Sequence, residues 1–341
     1  LSEIIEDEIK QNSLRREFPK SFKSHFSKIE NKKITYHKDF TNIPFVTIDG
    51  EDSKDFDDAV WSITNDDMTT IMVAISDVSF FIEKGDPLDI EAKKRGNSFY
   101  FPDRVIPMFP EIISNNICSL VPEKERACLV IEVKIKDFKI FSFNIHRARI
   151  ISVARLTYNK VDEIYFKRIT EHKNFVLIEN LFKGYKTLEK MSVSRNKINF
   201  ITEEFQIIKE INNDFFFRKK KRLESYKLIE EFMVLANETV AKYLKINKLN
   251  SIFRNHEKPK EEKIKELKKI LKENELYDNE NFKDQQDFNN ILNKIREKKN
   301  FINDALLRTQ AKAYYGNKNC GHFGLGLDYY THFTSPIRRY F

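Results

Sequence analysis

Short apolar runs separated by polar, turn-forming residues mark the first half of the chain, and this pattern is typical of β-strands. Strands are predicted at Phe45–Ile48, Ala59–Ile63, Thr70–Ile75, Leu129–Ile135 and Ile140–Arg147. The run from Asn65 to Asp67 predicts a turn between the second and third strands, and Asp137 predicts a turn between the last two. The pattern therefore predicts two pairs of sequential strands, each joined by a short turn.

From Ser152 onward, apolar residues recur every three or four positions, which indicates helices that bury one face. Helices are predicted at Phe175–Met191, Leu223–Leu244, Lys258–Leu276, Asp284–Lys298 and Phe301–Tyr315. Strands that come first and helices that come later favour an α+β fold over alternating βαβ units. We expect a mostly antiparallel β core that carries an acidic loop and is covered by helices from the C-terminal half, in one continuous domain from about Pro44.

The composition excludes several classes of protein. Of the 341 residues, 40% are hydrophobic, which is enough for a sizeable core and argues against a disordered chain. No apolar run approaches the roughly 20 residues that a membrane-spanning helix needs, so no membrane association is expected. Only 8 glycines are present, and neither of the two common glycine-rich nucleotide-binding motifs occurs.

The balance of charge leaves two explanations open. The chain has 60 Lys and Arg residues against 52 Asp and Glu residues, which gives a net charge of +8. A basic chain favours a polyanionic partner, but a composition that is simply rich in lysine would give the same excess. Charge alone therefore does not decide whether the protein binds nucleic acid.

The cysteines and histidines argue against disulfides and zinc. Cys118, Cys128 and Cys320 form neither a CxxC pair nor an even-numbered set, so we expect three buried thiols in a reducing compartment. The 7 histidines show no spacing typical of zinc ligands. The reducing compartment suggests a cytoplasmic protein, and we expect it to be a monomer.

The segment from Asp49 to Asp58 contains six acidic residues and one lysine in an otherwise basic chain. Because the segment lies between two predicted strands, the fold should hold its carboxylates close together, and a cation would offset their repulsion. Carboxylate oxygens suit hard cations such as Mg²⁺ or Mn²⁺. A solvated acidic turn is the alternative, although Phe56 interrupts the acids and a strand follows at once. An EF-hand is excluded, because Lys54 occupies the position that requires glycine.

A second segment, near the C-terminal end of the sequence, combines glycines, aromatic residues and arginines. Three of the 8 glycines fall within Gly321–Leu327, which indicates tight backbone geometry. Ser335 and Pro336 predict a helix start, with Arg338 and Arg339 in its first turn. Arginines at a helix start oppose the helix dipole and are better explained by a bound anion such as a phosphate. Surface arginines that pair with acidic residues are the alternative.

Together these segments resemble the ribonuclease II / ribonuclease R family of exoribonucleases, and the ribonuclease R branch looks the closer one. Asp49–Ala59 is similar to the acidic motif of the family, and Thr331–Tyr340 is similar to its C-terminal signature. Further matching motifs follow in the same order: Arg95–Pro102, Val105–Met108, Ser119–Leu120, Ala154–Tyr158, Leu228–Asn237 and Gly321–Gly324. The resemblance covers nearly the whole chain from about Phe45.

The resemblance implies processive 3′→5′ hydrolysis of single-stranded RNA to nucleoside 5′-monophosphates. It implies Mg²⁺, with Mn²⁺ as the alternative, held by Asp49, Asp55, Asp57 and Asp58. It assigns catalysis to Asp57 and Arg338, and RNA binding to Tyr100, Phe200 and Arg339.

Several of these assignments have a structural alternative. Tyr100 and Phe200 are aromatic, and packing in the core is the alternative for both. The basic run Arg218–Arg222 either lines an entry path for RNA or forms a solvated helix face. His322 and His332 lie within family motifs and are interpreted as structural hydrogen-bonding residues.

The resemblance also suggests how the chain is organised. Residues 1–44 are expected to be a linker or remnant that follows an absent N-terminal oligonucleotide-binding region. Residues 45–341 are expected to form a ribonuclease II-type catalytic domain that is truncated on its C-terminal side. The alternative function is that of a noncatalytic RNA-binding member of the same fold, and a phosphodiesterase that acts on DNA or small nucleotides also stays open.

Overall fold

The computed structural model of the chain describes residues 2–35, 37–200, 205–209, 215–219, 221–277, 281–295 and 300–341. The chain divides into two compact units. Unit 1 comprises Leu1–Tyr185, Glu204–Ala236 and Phe333–Phe341, and unit 2 comprises Lys186–Glu203 and Asn237–His332. Each unit is therefore built from segments that are separated in the sequence.

A seven-stranded sheet is the main β-structure of unit 1. The strands of unit 1 are β1 Lys38–Asp39, β2 Val46–Asp49, β3 Asp58–Asn65, β4 Met68–Ser76, β5 Phe99–Tyr100, β6 Val105–Ile106, β7 Glu125–Lys136, β8 Lys139–Ile151, β9 Ala154–Thr157, β10 Phe205–Lys209 and β11 Phe215–Lys219. The large sheet has the order β1-β8-β7-β4-β3-β2-β9. Its neighbouring strands are antiparallel except for the two outermost pairs, β1–β8 and β2–β9, which are parallel. The prediction of a mostly antiparallel β core is confirmed.

The two short turns that the sequence predicts are both present. Asp66 and Asp67 join β3 to β4, and Asp137 and Phe138 join β7 to β8. Asp137 and Phe138 have φ values of 49° and 56°. Positive φ at both residues of a two-residue loop is typical of a type I′ turn, whose twist matches that of the strands it joins.

Helices from the later part of the chain pack on this sheet, as predicted. The helices with residues in unit 1 are α1 Ser2–Gln11, α2 Lys23–Glu30, α3 Val78–Phe81, α4 Pro87–Arg95, α5 Tyr158–Phe166, α6 Phe175–Ser194 and α7 Glu224–Ile246. The Ser62 hydroxyl on β3 donates to the Asn180 carbonyl on α6 at 3.0 Å. A Cβ atom at Gly184 would lie 2.4 Å from Ser62 Oγ, so glycine is what allows α6 to approach β3 this closely.

Unit 2 is mainly helical. The described α-helices and β-strands that lie wholly within it are α8 Glu261–Glu273, α9 Gln285–Ile295, α10 Asn300–Thr309, β12 Phe253–Asn255 and β13 Tyr314–Gly316. Its helices bury an apolar cluster, here called the unit 2 core, in which Leu267 is 1% exposed and Phe288 and Ile302 are fully buried. Across the described parts of the chain, no helix is both long enough and apolar enough to cross a membrane.

Two predictions of helical structure before the C-terminal segment are wrong. The last predicted helix ends at Thr309 rather than Tyr315, because Tyr314–Gly316 pairs with β12 as strand β13. Arg218 and Lys219 lie in β11, so this part of the basic run is a strand and not a helix face. Lys220, in the same run, lies outside the described residues.

The prediction of three buried thiols is only partly correct. Cys118 and Cys128 are buried, whereas Cys320 is exposed. Cys118 packs in an apolar cluster of unit 1, and the Cys128 thiol donates to the Ala148 carbonyl at 3.6 Å. All three cysteines are free thiols.

Candidate active site

The acidic loop joins two neighbouring strands at one end of the unit 1 sheet. Asp49 is the last residue of β2, and Asp58 is the first residue of β3. Ser119 fixes the loop between them, because its hydroxyl donates to the Lys54 carbonyl and accepts from the Phe56 amide, each at 2.9 Å. The loop is therefore held at both strand ends and in its middle.

Arg155 on β9 fixes the first part of the loop. Its guanidinium donates to the carbonyl oxygens of Gly50 and Glu51, at 2.6 Å each. The same guanidinium carbon lies 5.7 Å from the ring centroid of Phe56, whose side chain is buried in an apolar cluster. The phenylalanine that interrupts the acids in the sequence is thus the apolar anchor of the loop.

Four carboxyl groups of this loop form an electrostatically coupled group, here called the aspartate cluster: Asp49, Asp55, Asp57 and Asp58. Burial, and then the charges of the other three, raise the pKa of Asp49 to about 8. Burial is also the main cause that raises the pKa of Asp57 to about 8. Burial raises the pKa of Asp58 to about 6, against the opposing charge of Arg338. The cluster therefore resists full ionisation at neutral pH.

The C-terminal segment of unit 1 lies against the aspartate cluster. The Ile337 N–H donates to Asp57 Oδ1 at 2.8 Å, and Arg338 Nε lies 3.7 Å from Asp57 Oδ2. The Asp57 side chain is 5% exposed, whereas that of Arg338 is 38% exposed. Arg338 therefore lies near a buried carboxylate while much of its side chain stays open to solvent.

The helix that is predicted to start at Ser335 is not present. The residues that follow it form a turn, in which the Arg338 N–H donates to the Ser335 carbonyl at 3.2 Å. The Arg338 carbonyl accepts from the Ser98 N–H at 3.1 Å, and Arg339 pairs with Asn97 in a β-bridge. Backbone hydrogen bonds to a distant segment thus replace the local bonds that a helix would need.

Tyr100 lies beside the aspartate cluster and keeps much of its surface accessible. Its hydroxyl donates to Asp55 Oδ2 at 3.0 Å, and the residue is 54% exposed. Burial, together with the charge of Asp55, raises the pKa of Tyr100 above its usual value. The phenol therefore stays protonated as a donor to Asp55 and presents an exposed aromatic ring next to the cluster.

The structure brings six of the predicted site residues together in unit 1: Asp49, Asp55, Asp57, Asp58, Tyr100 and Arg338. Arg339 follows Arg338 along the chain, and its backbone pairs with Asn97. Phe200 belongs to unit 2, where it is partly buried against the unit 2 core. This contact agrees with core packing, and the role of Phe200 in RNA binding stays a prediction.

Tyr158 is a residue near the aspartate cluster to which the sequence analysis gave no role. Burial raises the pKa of Tyr158, and the charges of Asp49 and Asp58 raise it further. Its ring centroid lies 4.1 Å from that of Tyr226. Because β9 runs parallel to β2, with Thr157 opposite Asp49, the residue that follows β9 lies beside the acidic loop. The alternation of apolar and polar residues in β9 is the sequence signal that could have predicted this strand, and with it the position of Tyr158 beside the acidic loop.

The donor chemistry of the aspartate cluster fits a hard divalent cation. The cluster offers carboxylate oxygens, which Mg²⁺ and Mn²⁺ prefer, and a cation would offset the repulsion that raises its pKa values. As they stand, no three His, Cys, Asp or Glu side chains in the described ranges are arranged to hold a metal ion. Asp57 and Asp55 instead accept hydrogen bonds from the Ile337 amide and the Tyr100 hydroxyl. The residues therefore fit a cation in their chemistry, while two of them are oriented by protein donors.

The segment that contains this site matches a known protein family, the RNB domain, over residues 37–341. The chain belongs to the RNB domain family. Ribonuclease R of Escherichia coli K12 is 37% identical over 325 residues, which cover 89% of this chain and 38% of that protein. Ribonuclease R of Mycoplasmopsis pulmonis is 37% identical over 336 residues, which cover 95% of this chain and 46% of that protein. The resemblance to the ribonuclease R branch is confirmed.

Solved structures share the fold of this RNB domain. Mycoplasma genitalium RNase R in complex with ribose methylated single-stranded RNA matches with a TM-score of 0.91 at 29% identity, over 97% of this chain and 54% of that one. Yeast Ssd1, a pseudonuclease, matches with a TM-score of 0.70 at 19% identity, over 89% of this chain and 39% of that one. The second match shows the fold alone. The chain spans about half or less of the length of these proteins.

Proposed function

We propose that this RNB domain is the catalytic part of an exoribonuclease that degrades single-stranded RNA processively from the 3′ end to nucleoside 5′-monophosphates. The observation that carries the proposal is the meeting of the aspartate cluster with Arg338 and the exposed Tyr100 at one end of the unit 1 sheet. Relatives named Ribonuclease R, and the RNA complex of one such enzyme, support RNA as the substrate.

We propose Mg²⁺, with Mn²⁺ as the alternative, as the cofactor, held by Asp49, Asp55, Asp57 and Asp58. Divalent cations bound there would activate the attacking water and stabilise charge on the leaving oxygen. Their charge would also offset the repulsion that contributes to the raised pKa values of Asp49 and Asp57. Hydrolysis should therefore require a divalent cation.

Side chains and a backbone amide of this chain position the scissile phosphate and the carboxylates of the aspartate cluster. Arg338 is partly exposed and offers a planar set of N–H donors that suits two oxygens of the scissile phosphate. Charge builds up on this phosphate in the transition state, so a fixed guanidinium lowers the barrier. The Ile337 amide orients Asp57 and the Tyr100 hydroxyl orients Asp55, so both carboxylates are held before substrate arrives.

The exposed ring of Tyr100 suits a base close to the reacting end of the RNA. Stacking does not depend on sequence, because every base has an aromatic face, and this suits an enzyme that degrades RNA of any sequence. The hydroxyl that bonds to Asp55 fixes the ring relative to the aspartate cluster. Tyr100 would thus set the position of the terminal nucleotides while the chemistry is left to the cluster and Arg338.

A noncatalytic RNA-binding domain is the second candidate. Yeast Ssd1, described as a pseudonuclease, shares this fold. The fold by itself therefore does not require activity. The presence of all four aspartates and Arg338 around one point of unit 1 favours the enzyme.

The test incubates the chain with single-stranded RNA, labelled at its 5′ or its 3′ end, and with DNA of the same sequence, in Mg²⁺, in Mn²⁺ or in chelator. Asp58→Asn keeps the shape of the side chain and removes its charge, so hydrolysis should be lost. RNA affinity, measured in chelator, should change little, because phosphate contacts elsewhere supply most of the binding. Asp52→Asn is the matched control, since Asp52 is an exposed acid of the same loop and should keep full activity.

Mononucleotides released from the 3′ end of RNA, and only with a divalent cation, would support the proposal. Hydrolysis of DNA at the same rate would mean that the substrate is nucleic acid in general rather than RNA. RNA binding without hydrolysis under every condition would favour the noncatalytic alternative. Near-full turnover by Asp58→Asn would contradict its assignment as a metal ligand.

A further inference from the structure

The two-stranded sheet of unit 2 carries an arginine that is stacked on a tyrosine. Arg254 on β12 and Tyr315 on β13 lie directly opposite each other in the strand register. The guanidinium carbon of Arg254 is 4.5 Å from the ring centroid of Tyr315. The Tyr315 hydroxyl is 2.6 Å from His332 Nδ1, and this hydrogen bond fixes the far end of the ring. Strand pairing, stacking and a hydrogen bond therefore hold the pair in place.

The guanidinium of Arg254 has no hydrogen-bond acceptor and no carboxylate partner within the described part of the chain, although the side chain is partly buried. Other partly buried arginines donate to carbonyl oxygens, as Arg155 does to Gly50 and Arg195 does to Leu325. A guanidinium has five N–H donors, and no nitrogen of Arg254 is both fully buried and without a partner, so solvent and ligands can reach these donors. Arg254 is thus a fixed cation whose donors are available to a ligand.

The charged groups on the same small sheet are mostly positive. Lys312 and Lys318 lie on either side of β13, are exposed, and form no ion pair with the described residues. The acid nearest in the sequence, Glu257, accepts a hydrogen bond from the Tyr314 hydroxyl at 2.7 Å. This part of unit 2 therefore favours an anion, and Arg254 is its fixed point.

We propose that Arg254 and Tyr315 form an RNA-binding subsite of unit 2, in which Arg254 binds a phosphodiester of single-stranded RNA and Tyr315 supports a base. The proposal rests on the proposed function, because RNA is the polyanion that this domain is proposed to hydrolyse. A planar guanidinium binds two phosphate oxygens at once, and the ring beneath it keeps it from turning away. Tyr315 is 40% exposed, which leaves aromatic surface for a base.

The subsite contains no residue of the aspartate cluster, so it should act on affinity and leave the chemical step unchanged. Binding is measured by fluorescence anisotropy with a labelled oligoadenylate, in chelator, over a series of salt concentrations. Arg254→Gln should weaken binding about tenfold, as expected for the loss of a hydrogen-bonded charge pair. It should also reduce the slope of log affinity against log salt by about 0.7, the value for one phosphate contact on a single strand.

Two further variants separate the ligand contact from charge and from folding. Arg308→Gln removes the same charge from an exposed arginine of α10 in the same unit, and it should change neither affinity nor slope. Arg254→Lys keeps the charge but loses the planar donors, so it should keep the salt slope and lose about threefold in affinity. Thermal unfolding of each variant checks that it is folded before binding is compared.

Equal affinity and equal slope for Arg254→Gln and Arg308→Gln would overturn the subsite, whatever hydrolysis shows. If the wild-type chain binds RNA in this Arg254-dependent way but hydrolyses none in Mg²⁺, the subsite stands and the proposed function fails. If inorganic phosphate at constant ionic strength displaces the RNA and Tyr315→Ala binds as wild type, the site is a general anion site, and the RNA subsite is overturned.

Discussion

Burial disfavours charge at two places in this chain, and it does so in opposite chemical directions. In unit 1 it raises the pKa values of Asp49 and Asp57 to about 8. In unit 2 it lowers the pKa of His322 to about 3, and it lowers that of His256 as well. Carboxyls and imidazoles are both shifted towards their neutral forms, but the carboxyls become neutral by gaining a proton and the imidazoles by losing one.

The two places differ in what the fold does with the neutral form. His256 Nδ1 accepts from the Gly324 N–H at 2.9 Å, and His322 Nδ1 accepts from the Leu325 N–H at 3.3 Å. Unit 2 therefore uses the neutral imidazoles as structural acceptors, in agreement with the sequence-based interpretation of His322. The aspartate cluster instead has a repulsion that its own hydrogen bonds do not remove. A buried titratable group whose hydrogen-bonding needs are met by the fold is structural. A buried group that keeps an uncompensated electrostatic repulsion indicates a site for a ligand.

The largest effect is expected at the cation that faces the aspartate cluster. Arg338→Lys should lower the single-turnover rate of RNA hydrolysis about 10²–10³-fold, by analogy with the loss of one preorganised donor, because lysine cannot bind two phosphate oxygens in a plane. RNA affinity should change little. Arg339→Lys is the matched variant at the next residue and should cost much less. Equal defects in the two variants would mean that the role in stabilising the transition state has been assigned to the wrong arginine.

A slightly smaller effect is expected on the stability of unit 1 in chelator. Between pH 3.8, which is the ordinary pKa of Asp, and about pH 8, Asp49 in the folded chain binds a proton more tightly than it does in the unfolded chain. Asp49 alone should therefore lower the free energy of unfolding by about 3–4 kcal/mol as the pH rises from 5 to 8, and Asp57, whose pKa is also about 8, should lower it further. Chemical denaturation at each pH measures it. Asp49→Asn should reduce the slope without abolishing it, because Asp57 keeps a raised pKa, and an unchanged slope in this variant would locate the effect elsewhere.

Unit 2 should respond to pH with the opposite sign. The pKa of His322 falls from 6.5 to about 3 on folding, so below pH 6.5 the unfolded chain binds protons that the folded chain does not. The stability of unit 2 should fall by about 2 kcal/mol between pH 6.5 and pH 5. Hydrogen exchange of peptides that cover 321–327, corrected for intrinsic rates, reports it, with peptides of β2 and β3 as the internal contrast. If lower pH slowed hydrogen exchange in both sets of peptides, the opposite pH responses expected for the two units would be contradicted.

The smallest effect is expected at Tyr100. Tyr100→Ala should leave the hydrolysis rate of long RNA nearly intact and change the length of the final product, since a lost stacking contact costs about 1–3 kcal/mol per base. Gel analysis of end products detects the change. Tyr100→Phe keeps the ring and removes the hydroxyl that donates to Asp55, so it separates stacking from carboxylate orientation. An unchanged end product in the alanine variant would argue against stacking.

Local signals explain the parts of the structure that the sequence predicts correctly. The turn at Asp137 depends on two residues and on the strands that they join. The aspartate cluster follows from acids placed between two strands, because the end of β2 and the start of β3 lie at the same end of the sheet. Neither inference requires knowledge of distant contacts.

Contacts between distant segments explain the errors. Ser335 carries the local signal for a helix start, but the backbone that follows it bonds to Ser98, and no local pattern encodes that contact. The helix predicted at Phe301–Tyr315 ends at Thr309, because Tyr315 pairs with Arg254 on a neighbouring strand. Tyr158 reaches the aspartate cluster only because β9 lies parallel beside β2. Each case depends on strand neighbours that become known only with the fold.

The hydrogen bond from Ile337 to Asp57 joins residues that are 280 positions apart, and this order has a consequence for synthesis on the ribosome. Chains fold from the N-terminal side as they emerge, so the aspartates enter the sheet before their last partners have been made. Until the ribosome has passed Arg338, the nascent chain has neither the amide that orients Asp57 nor the guanidinium proposed to bind phosphate. The proposed nuclease activity is thereby withheld until synthesis has passed Arg338.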